Sequence, residues 1–192
     1  MDHAQARKML AEADASTLEE RTSRLAWLER RGSPQDGRIL PGGMAAATAF
    51  WEAGACYVAG QYLATVLLAQ TALEHLLAGM ISLFAGQDDS HKLSAQKLFK
   101  RALDLQLLSQ DEFDLFDRLR RFRNPHAHPR AMDDPDNPIR RMIDTQTPID
   151  DIYRLDAEQA IEALRDLLDR RPFALGPLTP WPDGETESPS AP

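Results

Sequence analysis

The chain carries a single cysteine, Cys56, so neither an intramolecular disulfide nor a cysteine-cluster metal site can form within it. Val, Ile and Thr form few clusters of period-two alternation, which argues against a sheet. No basic segment followed by an apolar run opens the sequence, so secretion is not indicated and a cytoplasmic protein is expected. There is no internal repeat, heptad array, glycine-rich phosphate loop, Ser-His-Asp set or HExxH pattern. Positive charge is also scarce: 22 Lys and Arg against 30 Asp and Glu give a net charge of -8. That balance argues against broad, sequence-blind binding of duplex nucleic acid, which requires many phosphates to be neutralised. A small basic site can still focus an anion.

What remains is helical. At 192 residues, 43% of them hydrophobic, the chain can bury a core. Ala, Leu, Arg, Gln and Glu fill its regular stretches, which predicts an all-α bundle of four to five core helices plus an N-terminal helix. The expected organisation is an N-terminal helical extension and loop (1–43), a bundle (44–171) and a proline-rich tail (172–192) with too little to bury to be ordered. Helix is expected over 3–31, broken near Asp14, where Ser16 and Glu19 fit a capping box. Trp27 reads as core sooner than as a partner contact, and Trp181 is an outlier in the tail. Further helices are expected over 44–59, 61–85 and 92–108, with Gly60 and Gly86 as stops. The 61–85 segment is long enough to span a bilayer, but Gln70, Glu74 and His75 interrupt it, so no membrane partner is expected. Ser109 with Glu112, and Asp156 with Gln159, read as capping boxes of two later helices. The stretch 132–138 reads as a turn-rich loop without the glycine and glutamate of a calcium hand.

One segment stands apart. Arg118 to Arg130 holds five arginines, two histidines and no acid. Phe116, Leu119 and Phe122 share a helical face, and Arg123 continues that apolar stripe. A guanidinium there needs an anion or several acceptors, because an unpaired buried charge is costly. Pro125 should end or kink the helix, leaving Arg123, Asn124, His126 and His128 at an irregular end. Arg120, Arg121, His126 and Arg130 are candidate phosphate contacts, against the plainer reading of a solvated face or turn. Glu74 could hold Arg123 or orient His128, or simply meet an arginine of a neighbouring helix. His126 and His128 lack a third metal ligand nearby in sequence, so neither metal nor cofactor is expected.

Chemically, Arg grips phosphate as a planar fork, His exchanges a proton near neutral pH, and Asn orients either one. That set suits RNA cleavage, in which the ribose 2′-hydroxyl is a built-in nucleophile.

The arrangement resembles the HEPN domain. Arg123-Asn124 followed by His128 matches its R-x4-H motif, and the upstream Tyr62 to Glu74 stretch, ending Ala72-Leu73-Glu74, is similar to the long helix of that family. The likeness covers roughly residues 45 to 170. It implies a helical bundle and a metal-independent ribonuclease of a toxin–antitoxin, phage-defence or RNA-processing system. It further implies Arg123 and His128 as catalytic residues with Asn124 in support, and a homodimer whose two motifs line one cleft. An antitoxin or other operon partner would fit the same likeness. Where HEPN toxins paired with a nucleotidyltransferase carry a tyrosine two residues after the histidine, this chain has Arg130, so control through that tyrosine is not implied. The rival expectations are a non-catalytic HEPN-like module that binds nucleotide, RNA or protein, and a general helical interaction protein.

Overall fold

The computed structural model describes residues 1–30, 40–86 and 89–170. Among them lie seven α-helices and no strand: α1 His3–Glu29, α2 Gly43–Val58, α3 Tyr62–Ala85, α4 Ala95–Asp104, α5 Gln110–Ala127, α6 Pro138–Thr145 and α7 Ile149–Arg170. The protein is an all-α bundle, as composition indicated. The tail with Trp181 lies outside the described residues.

Helix α3 is the axis. It packs against α2, α4, α5 and α7 and buries ten residues, among them Leu73, Leu76, Leu77, Met80 and Ile81. By length and composition it could cross a membrane; here half of its most apolar window is buried inside the bundle. Helix α2 lies close along it because the contact residues are small. Ala46, Ala49 and Ala53 are buried, and at the α2 entrance Gly42 and Gly79 touch backbone to backbone. The α2–α3 turn is a Schellman motif: Gly60 N–H donates to Tyr57 O at 2.9 Å and Gln61 N–H to Cys56 O at 2.8 Å, with Gly60 at φ +77°.

Helix α1 is one unbroken element, contrary to the expected break at Asp14. Ser16 is not a cap; its hydroxyl donates back to Ala13 O at 2.8 Å, and Asp14 pairs with Arg21 at 2.9 Å. The true cap is Asp2, which accepts from Gln5 N–H at 2.7 Å. None of its residues is buried. Only its last turns dock, through Trp27 packed at a tilt of 43° on Tyr57 (4.8 Å between ring centres) and Leu28. Two arginines bond helix C-terminal carbonyls, Arg24 Nε of α1 donating to Val58 O of α2 and Arg165 of α7 donating to Leu28 O of α1, both at 2.9 Å.

The stretch expected as one helix over 92–108 is a 3-10 turn, Asp89–Lys92, followed by the ten-residue α4. The helix stops early because Gln106 takes φ +56° and both Leu107 and Leu108 donate back to Ala102 O, which turns the two leucines into the core. Ser109 and Glu112 form the expected capping box of α5.

Two departures lie near the motif. The stretch 132–137 is turn-rich as expected, but an unexpected helix follows it: Asn137 caps α6 by accepting from Ile139 N–H at 3.0 Å, with Pro138 at its first position. Asp156 is not a cap at all. Helix α7 starts at Ile149, and Asp156 sits in its middle at 2% exposure.

Candidate functional site

The motif lies on the last turn of α5, where that helix meets α6 and α7. Pro125 does not end the helix: α5 continues to Ala127, and His128 N–H still donates to Asn124 O at 2.8 Å. A proline there removes the bond to the carbonyl of Arg121, an exposed residue. Side-chain anchors hold the turn in place. Phe122 lies beneath the Arg141 guanidinium at 4.0 Å, and the His126 ring meets Tyr153 edge-on at 5.3 Å. Arg123, Asn124 and His126 are therefore helical residues, and only His128, the C-terminal cap at φ −141°, is extended.

Arg123 is half-buried, as its position on the apolar stripe required. Its Nε is buried without a hydrogen-bond partner, and its guanidinium pairs with no described residue. His128 is exposed and its ring likewise bonds to nothing described. These two are the open functional groups of the motif.

The other candidates are occupied. Arg120 donates twice to Asp117, at 2.8 and 2.7 Å, and Arg121 pairs with the same carboxylate at 3.6 Å. Arg130 pairs with Asp134 at 3.7 Å. With its amide oriented to satisfy both atoms, Asn124 donates to Arg120 O and accepts from Arg120 Nη1, each at 3.2 Å. It braces Arg120 and makes no bond to His128. Glu74 accepts from Gln70 at 3.0 Å on its own helix; it pairs with neither Arg123 nor His128 nor any arginine among the described residues.

Sequence reasoning missed the polar pair beneath the motif. Arg141 on α6 grips Asp156 on α7 bidentately at 2.6 and 2.7 Å. Asp156 is 2% exposed while the Arg141 side chain keeps 19%. Asn137-Pro138, a strong helix-start signal, could have placed Arg141 on a helix, and Ile149, Ile152 and Ala157 could have extended α7 upstream of Asp156. Burial holds the His126 imidazolium back, so its pKa falls below 6.5; Arg141 adds to that and Asp156 opposes it. His126 Nε2 is buried without a partner. His126 is thus a packed, neutral ring and not an open phosphate contact.

Comparison of the chain with protein-family models, with curated proteins and with solved structures finds no match.

Proposed function

We propose that the protein is a metal-independent, HEPN-type endoribonuclease acting on single-stranded RNA. One observation carries the reading: on the motif turn, Arg123 and His128 have no hydrogen-bond or ion-pair partner among the described residues, while the third unbonded group, His126 Nε2, is enclosed in a ring packed on Tyr153. An arginine on the apolar side of a helix with an unbonded Nε is a guanidinium held ready for an oxyanion. An exposed histidine at the helix end can carry a proton. The reaction follows from those roles. Arg123 holds the scissile phosphate. His128 takes the proton from the 2′-hydroxyl, whose oxygen attacks phosphorus. The bond to the 5′-oxygen breaks, and that oxygen leaves with a proton supplied by His128 of a second copy. The products are a 2′,3′-cyclic phosphate and a 5′-hydroxyl. Stabilisation of the developing phosphorane charge by arginine is the main contribution. One motif per chain makes a homodimer the natural carrier of a two-histidine site.

A second reading, a non-catalytic module that binds RNA, nucleotide or protein, is favoured by the pairing of Arg120, Arg121 and Arg130 with aspartates. Those arginines then serve the fold.

The test is cleavage of end-labelled single-stranded RNA, with chelator present, by wild type, His128→Ala and Arg123→Met. The methionine keeps the apolar stem of Arg123. The expected result is cyclic-phosphate product from wild type and a loss of at least about 100-fold in each variant. A folded wild type that yields no product turns the reading to the non-catalytic module, and equal activity in all three removes this site assignment.

A further inference from the structure

A groove of about 870 Å³ runs between the free part of α1, the α2–α3 turn and the start of α7. Tyr153 belongs both to its lining and to the motif, because the same ring meets His126 at 5.3 Å. A strand whose phosphate lay at Arg123 and His128 would have this groove next to it.

Its chemistry differs from that of the motif. The groove holds two carboxylates, Glu20 and Asp150, against one guanidinium, Arg24. Arg24 is already committed to Glu20 at 3.3 Å and to Val58 O at 2.9 Å. A phosphate would therefore be repelled. Two aromatic rings, Tyr62 and Tyr153, line it, with Tyr62 steadied by Tyr57 at 6.0 Å and by Arg24 at 3.5 Å. Two polar side chains, Gln61 and Asp150, are exposed and unbonded among the described residues. Tyrosine rings beside a free amide and a free carboxylate form a stacking surface with hydrogen-bonding edges, the usual way a splayed-out RNA base is recognised. The carboxylate decides among bases. It only accepts, and guanine alone among the four presents two adjacent donors, N1–H and the N2 amino group, on its Watson–Crick edge.

We propose that this groove is a nucleobase subsite and that guanine is the base it takes. Its role as part of an RNA site rests on the ribonuclease reading; its capacity to bind a base does not. The structure of α1 then has a purpose, since Thr17 and Glu20 form one wall of the groove although no residue of α1 is buried.

The experiment uses the full chain and the four nucleosides, which carry no phosphate. Guanosine, adenosine, cytidine and uridine are titrated separately, with binding read by ligand-observed NMR. Guanosine should bind about tenfold more tightly than the others, and Asp150→Asn should remove that preference. Asp150 is exposed, so the variant folds; Tyr62→Leu, checked by circular dichroism, should weaken all four. His128→Ala should bind guanosine as wild type does. Equal binding of all four overturns the choice of guanine, and no binding at millimolar nucleoside overturns the subsite. A guanosine preference untouched by Asp150→Asn puts the base elsewhere and also overturns it. RNA cleavage that fails while guanosine binds sinks the ribonuclease reading alone.

Discussion

Removal of Arg141 should cost the protein more than removal of its partner. The pair is bidentate, at 2.6 and 2.7 Å, but its two ends are unequally enclosed: Asp156 is 2% exposed and Arg141 19%. Arg141→Met leaves a carboxylate with no route to water, a loss of about 3–5 kcal/mol. It also removes the cation over Phe122, about 0.5–1 kcal/mol more at a partly exposed site. Asp156→Leu leaves a guanidinium whose long stem can swing its head outward, so about 2 kcal/mol is expected. The double variant, Arg141→Met with Asp156→Leu, has no charge to desolvate. It should lie within about 1–2 kcal/mol of wild type and be more stable than Arg141→Met alone. Urea denaturation followed by fluorescence of Trp27, which sits on Tyr57, gives all three differences against a total stability of about 5–15 kcal/mol. Two outcomes refute the reasoning. If the double variant loses the sum of the singles, the charges are not coupled. If Arg141→Met loses under about 1 kcal/mol, the carboxylate is not enclosed.

His126 should make the bundle sensitive to acid. Its folded-state pKa lies below 6.5, so the unfolded chain binds the proton first, and stability falls as pH drops through 6.5 until the lower folded value is reached. His126→Phe should flatten the stability profile between neutral and acid pH, and an unchanged slope would assign the effect to another group. Gly79→Ala should cost about 1–3 kcal/mol by thermal or urea melting, since the new methyl would meet the backbone of Pro41 and Gly42. A neutral result would show that the α2 entrance can give way.

Much of the fold was legible because long helices announce themselves by composition, and because their ends carry local chemistry. Ser109 with Glu112 and the glycine at 60 are short-range devices, and each does what its spacing indicates. The errors share a different cause. Ser16 and Asp156 have cap-like neighbours, yet each lies inside a helix. Ser16 is satisfied by the carbonyl three residues back, and Asp156 by an arginine fifteen residues away. Pro125 fails to break α5 because Phe122 and His126 are anchored on other helices, a tertiary effect that no window of sequence displays. Within the candidate site, the half-burial of Arg123 followed from its register on the apolar stripe. The occupation of Arg120 and Arg121 was signalled by Asp117, one residue outside the segment that looked free of acid.

The motif, the pair beneath it and the ring beside it all come from α5, α6 and α7, consecutive along residues 110–170. On a ribosome this neighbourhood is therefore the last described part of the bundle to be made. Helices α2 to α5 can gather around α3 first, but the α3 face that meets α7 stays open until α7 emerges. Synthesis that stalled between Arg141 and Tyr153 would leave a chain with Arg123 in place, His126 without its ring partner and no counter-ion for Arg141. If the proposed ribonuclease activity needs that finished neighbourhood, this order of assembly would keep nascent chains inert beside the message that encodes them.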